Sequence, residues 1–331
     1  VCCCCAMGDH PGGILCPPRA GHKRLHSRPR AGNGGPDAST GAPDVPVQTA
    51  LIPIAGKGTR LAPLTRAVPK ALFPLVDAGG RLRAVIHVIV AEALSAGAER
   101  VGIVTSPGQE ELLRRYFAAA DEAEGADLSG RISYILQPAP AGFGDAVARG
   151  ADFAGRGPLM VLLGDHVYVP QPGRGSCAAQ VAAEFDRRGG AAMVAMQDVG
   201  AEELSRVGTA RGEPIGEGVY RCTDFVEKPD PATAARRLVT PDLPEGRYLA
   251  HAGIFVVAEE VFEHLATLSA RLAGTGREIQ FADALGMLLE RHPEDYYLCR
   301  IRGRAYDTGT PDCYAAAQAA FRAAGGPAQP R

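Results

Sequence analysis

LIPIAGKGTRLAPLTRAVPKALFPLVD, residues 51–77, is the stretch on which the reading of this chain turns. A short apolar run of the buried-strand type stops at small residues. A loop carrying Gly56, Gly58, Thr59 and Arg60 follows, and Lys70 comes next behind Pro69. Where the chain lacks a Cβ, backbone amides can approach a ligand closely, and cations fixed a few residues further on can meet its charge. The layout suits phosphate. Two familiar motifs fail on spacing: a P-loop needs a glycine where Leu51 stands, and a dinucleotide fingerprint needs a third glycine where Leu61 stands. The competing reading is a tight strand-to-loop turn whose glycines serve only the backbone. Arg60 and Lys70 weigh against it, because a bare turn has no use for two cations.

Outward from this stretch, apolar strand-like runs alternate with helical patterns, which predicts an α/β layer fold with a mostly parallel central sheet. The pattern places strands at 50–54, 100–105, 132–137, 159–163 and 191–196, with helices at 85–96, 110–119, 144–153 and 178–188. Pro53 lacks a ladder donor, so it fits only near the end of its strand. After Gln197 the pattern turns mixed, with strands at 218–226, 254–257 and 297–301 and helices at 259–268, 279–291 and 311–323. In such a sheet, ligands bind at the carboxyl ends of the strands, so the loops after Ile54, Gln137 and Leu163 are expected in one crevice.

Composition bounds the function without choosing it. The chain has 331 residues, 46% of them hydrophobic, and a formal net charge of -2. That allows one large core or two modest ones and gives no reason to expect nucleic acid. No apolar run has the length of a membrane span. Of nine cysteines, five lie between positions 2 and 16, and Cys177, Cys222, Cys299 and Cys313 are scattered without metal-ligand spacing. The four later ones are expected as reduced thiols of a cytoplasmic protein. Residues 1–47 are crowded with Pro, Gly, Arg and His and are expected to form a disordered extension. Their cysteine run suits a plain tail, or translation from a start too far upstream, better than a metal or lipid site.

The expected crevice loops carry usable chemistry. In Gln137-Pro138-Ala139-Pro140-Ala141-Gly142-Phe143-Gly144-Asp145, a Gln amide stands five residues before a glycine. An amide offers a donor and an acceptor on one edge, matching the imide edge of uracil or thymine, though a surface Pro/Gly loop gives the same pattern. The apolar run 159–163 leads through Gly164 to Asp165, an acid at a strand mouth that can hold a hard divalent ion. His166 beside it is the weaker candidate, since a hard ion prefers oxygen ligands. Asp307, in Tyr306-Asp307-Thr308-Gly309-Thr310, is either a second such acid or a cap for the helix that follows.

The segment Ala55-Gly56-Lys57-Gly58-Thr59-Arg60-Leu61, with Pro63, Thr65, Pro69-Lys70 and Pro74, resembles the signature of the sugar-1-phosphate nucleotidyltransferases. Within that superfamily the likeness is to the uridylyltransferases that act on glucose 1-phosphate, and it covers about 49–321. It implies a Rossmann-like three-layer fold with a smaller mixed sugar-binding part: a domain over 48–323, divided into a nucleotide-binding half (48–197), a sugar-binding half (198–309) and a C-terminal helix (310–323), with a tail at 324–331. By resemblance, Ala55, Gly56, Gly58, Thr59, Gln137 and Gly142 bind nucleotide, and Arg60, Lys70 and Lys228 act on phosphates. Asp165 and Asp307 would hold Mg2+. The element Phe225-Val226-Glu227-Lys228-Pro229 supplies Glu227 for sugar hydroxyls, and Gly208 and Gly253 let a hexose lie against backbone.

The substrates so implied are UTP and glucose 1-phosphate, with no nucleic acid or membrane partner and a homo-oligomer as the expected assembly. Arg277-Glu278-Ile279-Gln280-Phe281-Ala282-Asp283 resembles a further family element, with Phe281-Ala282 in place of the usual Leu-Thr. Asp145 stands where the family often has His. A thymidylyltransferase shares almost every motif, and a non-catalytic nucleotide-sugar sensor is the other alternative. The two acids and two lysines at the expected positions speak against a sensor.

Overall fold

The computed structural model describes residues 46–324. Most of the extension expected over 1–47 therefore lies outside the described residues. Its last residue, Val47, is buried, and its N–H donates to Asp186 Oδ1 at 3.3 Å, so that position belongs to the folded unit.

In chain order the first part runs β1 (Thr49–Pro53), β2 (Pro74–Val76), β3 (Leu82–Ala84), α1 (Val85–Ser95), β4 (Arg100–Thr105), α2 (Glu110–Glu124) and β5 (Ile132–Leu136). It continues with α3 (Phe143–Ala148), α4 (Ala151–Ala154), β6 (Leu159–Leu162), β7 (His166–Pro170) and α5 (Cys177–Arg188). Then come β8 (Ala192–Val199), β9 (Gly208–Gly216), β10 (Val219–Glu227), α6 (Pro231–Arg237), β11 (Tyr248–Val257), α7 (Val261–Leu272) and α8 (Phe281–Arg291). The chain closes with β12 (Tyr296–Arg300), β13 (Gly303–Asp307) and α9 (Pro311–Ala324).

One sheet runs in the order β5-β4-β1-β6-β11-β8-β12-β10-β9. Its β5-β4-β1-β6 portion is parallel throughout, and beyond β6 the pairing is mixed, with β11 antiparallel to both β6 and β8. Period-two alternation builds the layers. Ala50, Ile52, Met160 and Leu162 face a core shared with α1, α2, α5 and α9. Leu51, Leu159 and Val161 face the opposite core, shared with α3, α7 and α8. Covered on both sides, β1 is buried along its whole length, as a central parallel strand should be. Pro53 is its last residue.

Where the structure departs from the sequence pattern, close packing or pairing is the cause. The helix expected over 144–153 is split into α3 and α4 at Arg149-Gly150, where the chain runs so close to β1 that a Cβ at Gly150 would lie 2.6 Å from the Leu51 side chain. β11 begins at Tyr248, six residues before the expected start, and its register shifts between His251 and Phe255. The pattern gave no sign of β9, or of the two-stranded ladder in which β13 pairs antiparallel with β7. No helix among the described residues is long and apolar enough to cross a membrane.

Candidate active site

The loop after β1 is held open by its own backbone. Ile54 N–H still donates to Val104 O at 2.8 Å, and the chain then leaves the sheet. Gly58 turns it at φ +61° into a single 3-10 turn over Thr59–Leu61. Thr65 Oγ1 donates to Gly58 O at 2.9 Å and ties the loop to the segment behind it. Ala55, Gly56, Lys57, Gly58, Thr59, Arg60, Lys70, Gln137, Gly142, Glu278 and Gly309 line one cleft of about 200 Å³. Every nucleotide-binding candidate, together with Arg60 and Lys70, thus opens on a single space.

At its floor Lys70 Nζ donates to Asp165 Oδ2 at 2.7 Å, and both residues are buried, at 6% and 1% exposure. His166 Nδ1 lies 3.0 Å from Asp165 Oδ1. Burial by itself would raise the Asp165 pKa, but the charge of Lys70 and the contact with His166 outweigh it and hold the carboxyl well below the usual range. Thr308 N and Oγ1 each donate to Asp165 O at 2.8 Å, fastening the end of β13 onto the turn between β6 and β7. The β13–β7 ladder sets Asp307 opposite His166. Gly309 is the crossing point: a Cβ there would lie 2.9 Å from Asp307 Oδ1, 3.2 Å from Arg60 Nη2 and 3.6 Å from Asp165 Oδ2.

One potential ligand atom from each of Asp165, His166 and Asp307 falls within 4.8 Å of the others. The two carboxylates supply hard oxygens of the kind a divalent ion such as Mg2+ takes, whereas an imidazole nitrogen suits softer metals. The competing role for Asp307 as a helix cap is taken by Thr310, whose Oγ1 accepts from Cys313 N–H at 3.3 Å, whereas Asp307 Oδ1 accepts from Gly309 N–H at 2.6 Å.

At the other end of the cleft, Gln137 Nε2 donates to Gly142 O at 3.1 Å and to Asp145 Oδ2 at 2.8 Å. Gly142 has φ +104°, and a Cβ there would sit 2.4 Å from Ile279 O. Ile279 N–H donates to Ala141 O and Gly144 N–H donates to Ile279 O, both at 2.8 Å, which brings Glu278 to the cleft wall. The sequence pattern placed Glu278 in a family-like element but gave no sign of this backbone pairing.

The sugar-side candidates form a second group. A Cβ at Gly208 would lie 2.7 Å from Glu227 Oε2, 3.0 Å from the Phe225 ring and 3.1 Å from His251 Nδ1. The Phe225 and His251 rings stack at 4.8 Å with 4° between their planes, and burial pushes His251 down to about 4, leaving a neutral ring near pH 7. Lys228 Nζ is 3.9 Å from Glu227 Oε1, and Lys228 adopts φ +49°, the one non-glycine with positive φ among the described residues. Gly253, at φ +83°, packs against Leu163 and Tyr168. Asp283 of α8 is near enough to act electrostatically on Glu227. Sequence reasoning assigned no role to Phe225, His251 or Gly309; only Gly309 carried a signal, as the third residue of Asp-Thr-Gly. A separate cavity of about 400 Å³, lined by Arg247, Arg300, Arg302 and Arg304, contains none of the candidates.

Residues 49–323 match the model of the nucleotidyl transferase family. The chain is 31% identical over 279 residues to the UTP–glucose-1-phosphate uridylyltransferase YngB of Bacillus subtilis, covering 80% of this chain and 85% of the relative. A relative described as a putative UTP–glucose-1-phosphate uridylyltransferase, from Methanocaldococcus jannaschii, is 27% identical, with 80% and 89% covered. Among solved structures, a UDP-glucose pyrophosphorylase complexed with UDP-glucose superposes with a TM-score of 0.68 at 30% identity, covering 83% of this chain and 98% of that one.

Proposed function

This chain belongs to the nucleotidyl transferase family, and we propose that it makes UDP-glucose and pyrophosphate from UTP and glucose 1-phosphate. The observation that carries the reading is the gathering of Arg60, Asp165 and Asp307 about Gly309, with Lys70 bonded to Asp165. A phosphate oxygen of the hexose 1-phosphate attacks the α-phosphorus in line. The new P–O bond forms as the bond to the bridging oxygen breaks, and pyrophosphate leaves with that electron pair. Such a transfer leaves little covalent work for side chains, so positioning and charge neutralisation carry the barrier reduction.

Each candidate then has a task. Arg60 and the amides of Ala55, Gly56, Gly58 and Thr59 hold the departing pyrophosphate, Lys70 the reacting phosphates and Lys228 the incoming phosphate. Gln137 and Gly142 hold the base. Glu227 accepts from sugar hydroxyls, and Gly208 and Gly253 shape the floor beneath the hexose. Asp165 and Asp307 would hold Mg2+, which when bound neutralises phosphate charge. The 48–197 portion thereby serves the nucleotide and the 198–309 portion the sugar. We place the reaction in the cytoplasm, in keeping with Cys177, Cys222, Cys299 and Cys313 all being free thiols, and in an assembly of identical subunits, which light scattering would test.

The test is pyrophosphate release measured across the four common nucleoside triphosphates and a panel of hexose 1-phosphates, with and without Mg2+. The reading expects turnover with UTP and glucose 1-phosphate that needs the divalent ion. Turnover confined to another pair, or none with any pair, would overturn it.

A further inference from the structure

We infer that Asp145 sets which base edge the cleft accepts: it holds the Gln137 amide with nitrogen inward and oxygen outward, selecting a base that carries an N–H at ring position 3. The inference rests on the proposal that the cleft takes a nucleotide, and not on the reaction assigned to it. Gln137 is 4% exposed and lines the cleft. Both hydrogen bonds its amide makes run from Nε2, to Asp145 Oδ2 at 2.8 Å and to Gly142 O at 3.1 Å. A carboxylate and a backbone carbonyl can only accept, so the chemistry of the partners fixes the nitrogen on their side. Oε1 is left as the acceptor presented to a ligand.

The anchor is itself held. Asp145 is buried at the start of α3, its Oδ1 accepts from Arg149 Nη2 at 3.3 Å, and Gly144 beside it donates to Ile279 O. Uracil and thymine offer N3–H to an outward oxygen. Cytosine has a lone pair at the same ring position and would set acceptor against acceptor. Of the two contacts that orient the amide, Gly142 O is backbone, so Asp145 is the one a substitution can delete.

Calorimetric titration of the full-length protein with UTP and with CTP, without sugar phosphate, tests this in wild type, Asp145→Ala, Gln137→Ala and the double variant. Wild type should bind UTP at least about 30-fold more tightly than CTP, and Asp145→Ala should narrow that ratio about tenfold, the scale of one net hydrogen bond. The double variant should narrow it no further than Gln137→Ala alone, because the two residues act through one amide. Asp145→Leu fills similar space without a hydrogen-bonding group and should narrow the ratio equally, which keeps the test open if the alanine variant folds poorly. An unchanged ratio in the Asp145 variants, an equal weakening of both nucleotides, or no UTP preference in wild type would overturn the inference. If wild type prefers UTP yet releases no pyrophosphate with any hexose 1-phosphate, the proposed reaction falls and the orienting role of Asp145 stands.

Discussion

Two lysine–carboxylate pairs stand at the proposed phosphate and sugar ends of the candidate site, and they are built in opposite ways. Lys70 and Asp165 are sealed against each other at 2.7 Å, with side-chain exposures of 5% and 0%. Lys228 and Glu227 are 3.9 Å apart, with side chains 24% and 41% exposed. The first pair joins the segment after β1 to the turn after β6, beside the parallel part of the sheet, whose two faces are both covered. The second sits at the end of β10, on the mixed part, where the chain turns away. The charges proposed to meet phosphates and a metal are thus set in place by the fold, whereas those proposed for the sugar side stay partly open to solvent.

The widest gap between the two ends should appear when each lysine is removed. Lys70→Ala is expected to cut turnover by about 10²- to 10³-fold, the scale of deleting one preorganised charge contact. It should also lower stability by about 3–5 kcal/mol, because it strands a buried carboxylate without its cation. Pyrophosphate release and denaturant unfolding measure the two losses separately. A rate loss without a stability loss would mean that the pair is less buried in solution than its geometry implies.

Another buried acid sharpens the point, since no cation pairs with it among the described residues. Glu92 of α1 is 1% exposed, and its Oε1 accepts from Ala178 N–H at 2.7 Å at the start of α5. Burial raises its pKa to about 7, and the backbone N–H groups of Ala178 and Cys177 offset this only in part. For a carboxyl whose folded pKa is raised, the folded state binds the extra proton between the unfolded value and about 7. Stability therefore falls as pH rises through that window and is level above it. Glu92→Gln keeps an acceptor and removes the penalty, so it should stabilise the protein at pH 8 by up to about 3 kcal/mol and bring no gain at pH 4. A pH series of unfolding midpoints reads the difference. An equal effect at both pH values would show that packing, not ionisation, decides it.

Geometry can be disturbed without touching a charge. Gly309→Ala would press a methyl group against Asp307 Oδ1 and Arg60 Nη2, at 2.9 and 3.2 Å in the present arrangement. Turnover should fall ten- to a hundredfold, as about 1 Å of misplacement can produce, while all four charged residues remain. A normal rate would place the working geometry away from this crossing.

How much of this was legible in the sequence depended on whether the signal was local. The strand before the loop, its glycines, and the acid after the run at 159–163 are contiguous patterns, and they fell where expected. β9, with the sequence GTARGEPIG, carries no hydrophobic period, and its order comes from pairing with β10. β13 is five residues with one buried position and exists through its ladder with β7, so the approach of Asp307 to Asp165 could be expected only by resemblance. Asp145 was visible as a residue that departs from the family pattern. Its grip on Gln137 was not, since nothing in the sequence fixes how an amide is turned.

The smallest stability effect belongs to the open end, and there the sign should reverse. Lys228 holds φ +49°, a conformation that a side chain bearing a Cβ adopts at a cost of about 1 kcal/mol and that glycine adopts freely. Lys228→Gly removes the charge proposed to meet the sugar phosphate, so turnover should fall about tenfold or more, with the Michaelis constant for glucose 1-phosphate rising. Yet relief of the backbone should leave the protein as stable as before or better by about 0.5–1 kcal/mol, less whatever the greater freedom of unfolded glycine takes back. One lysine would then hold the fold together while the other is carried at its expense. If Lys228→Gly destabilises as much as Lys70→Ala does, the two ends are built alike and the contrast between them is lost.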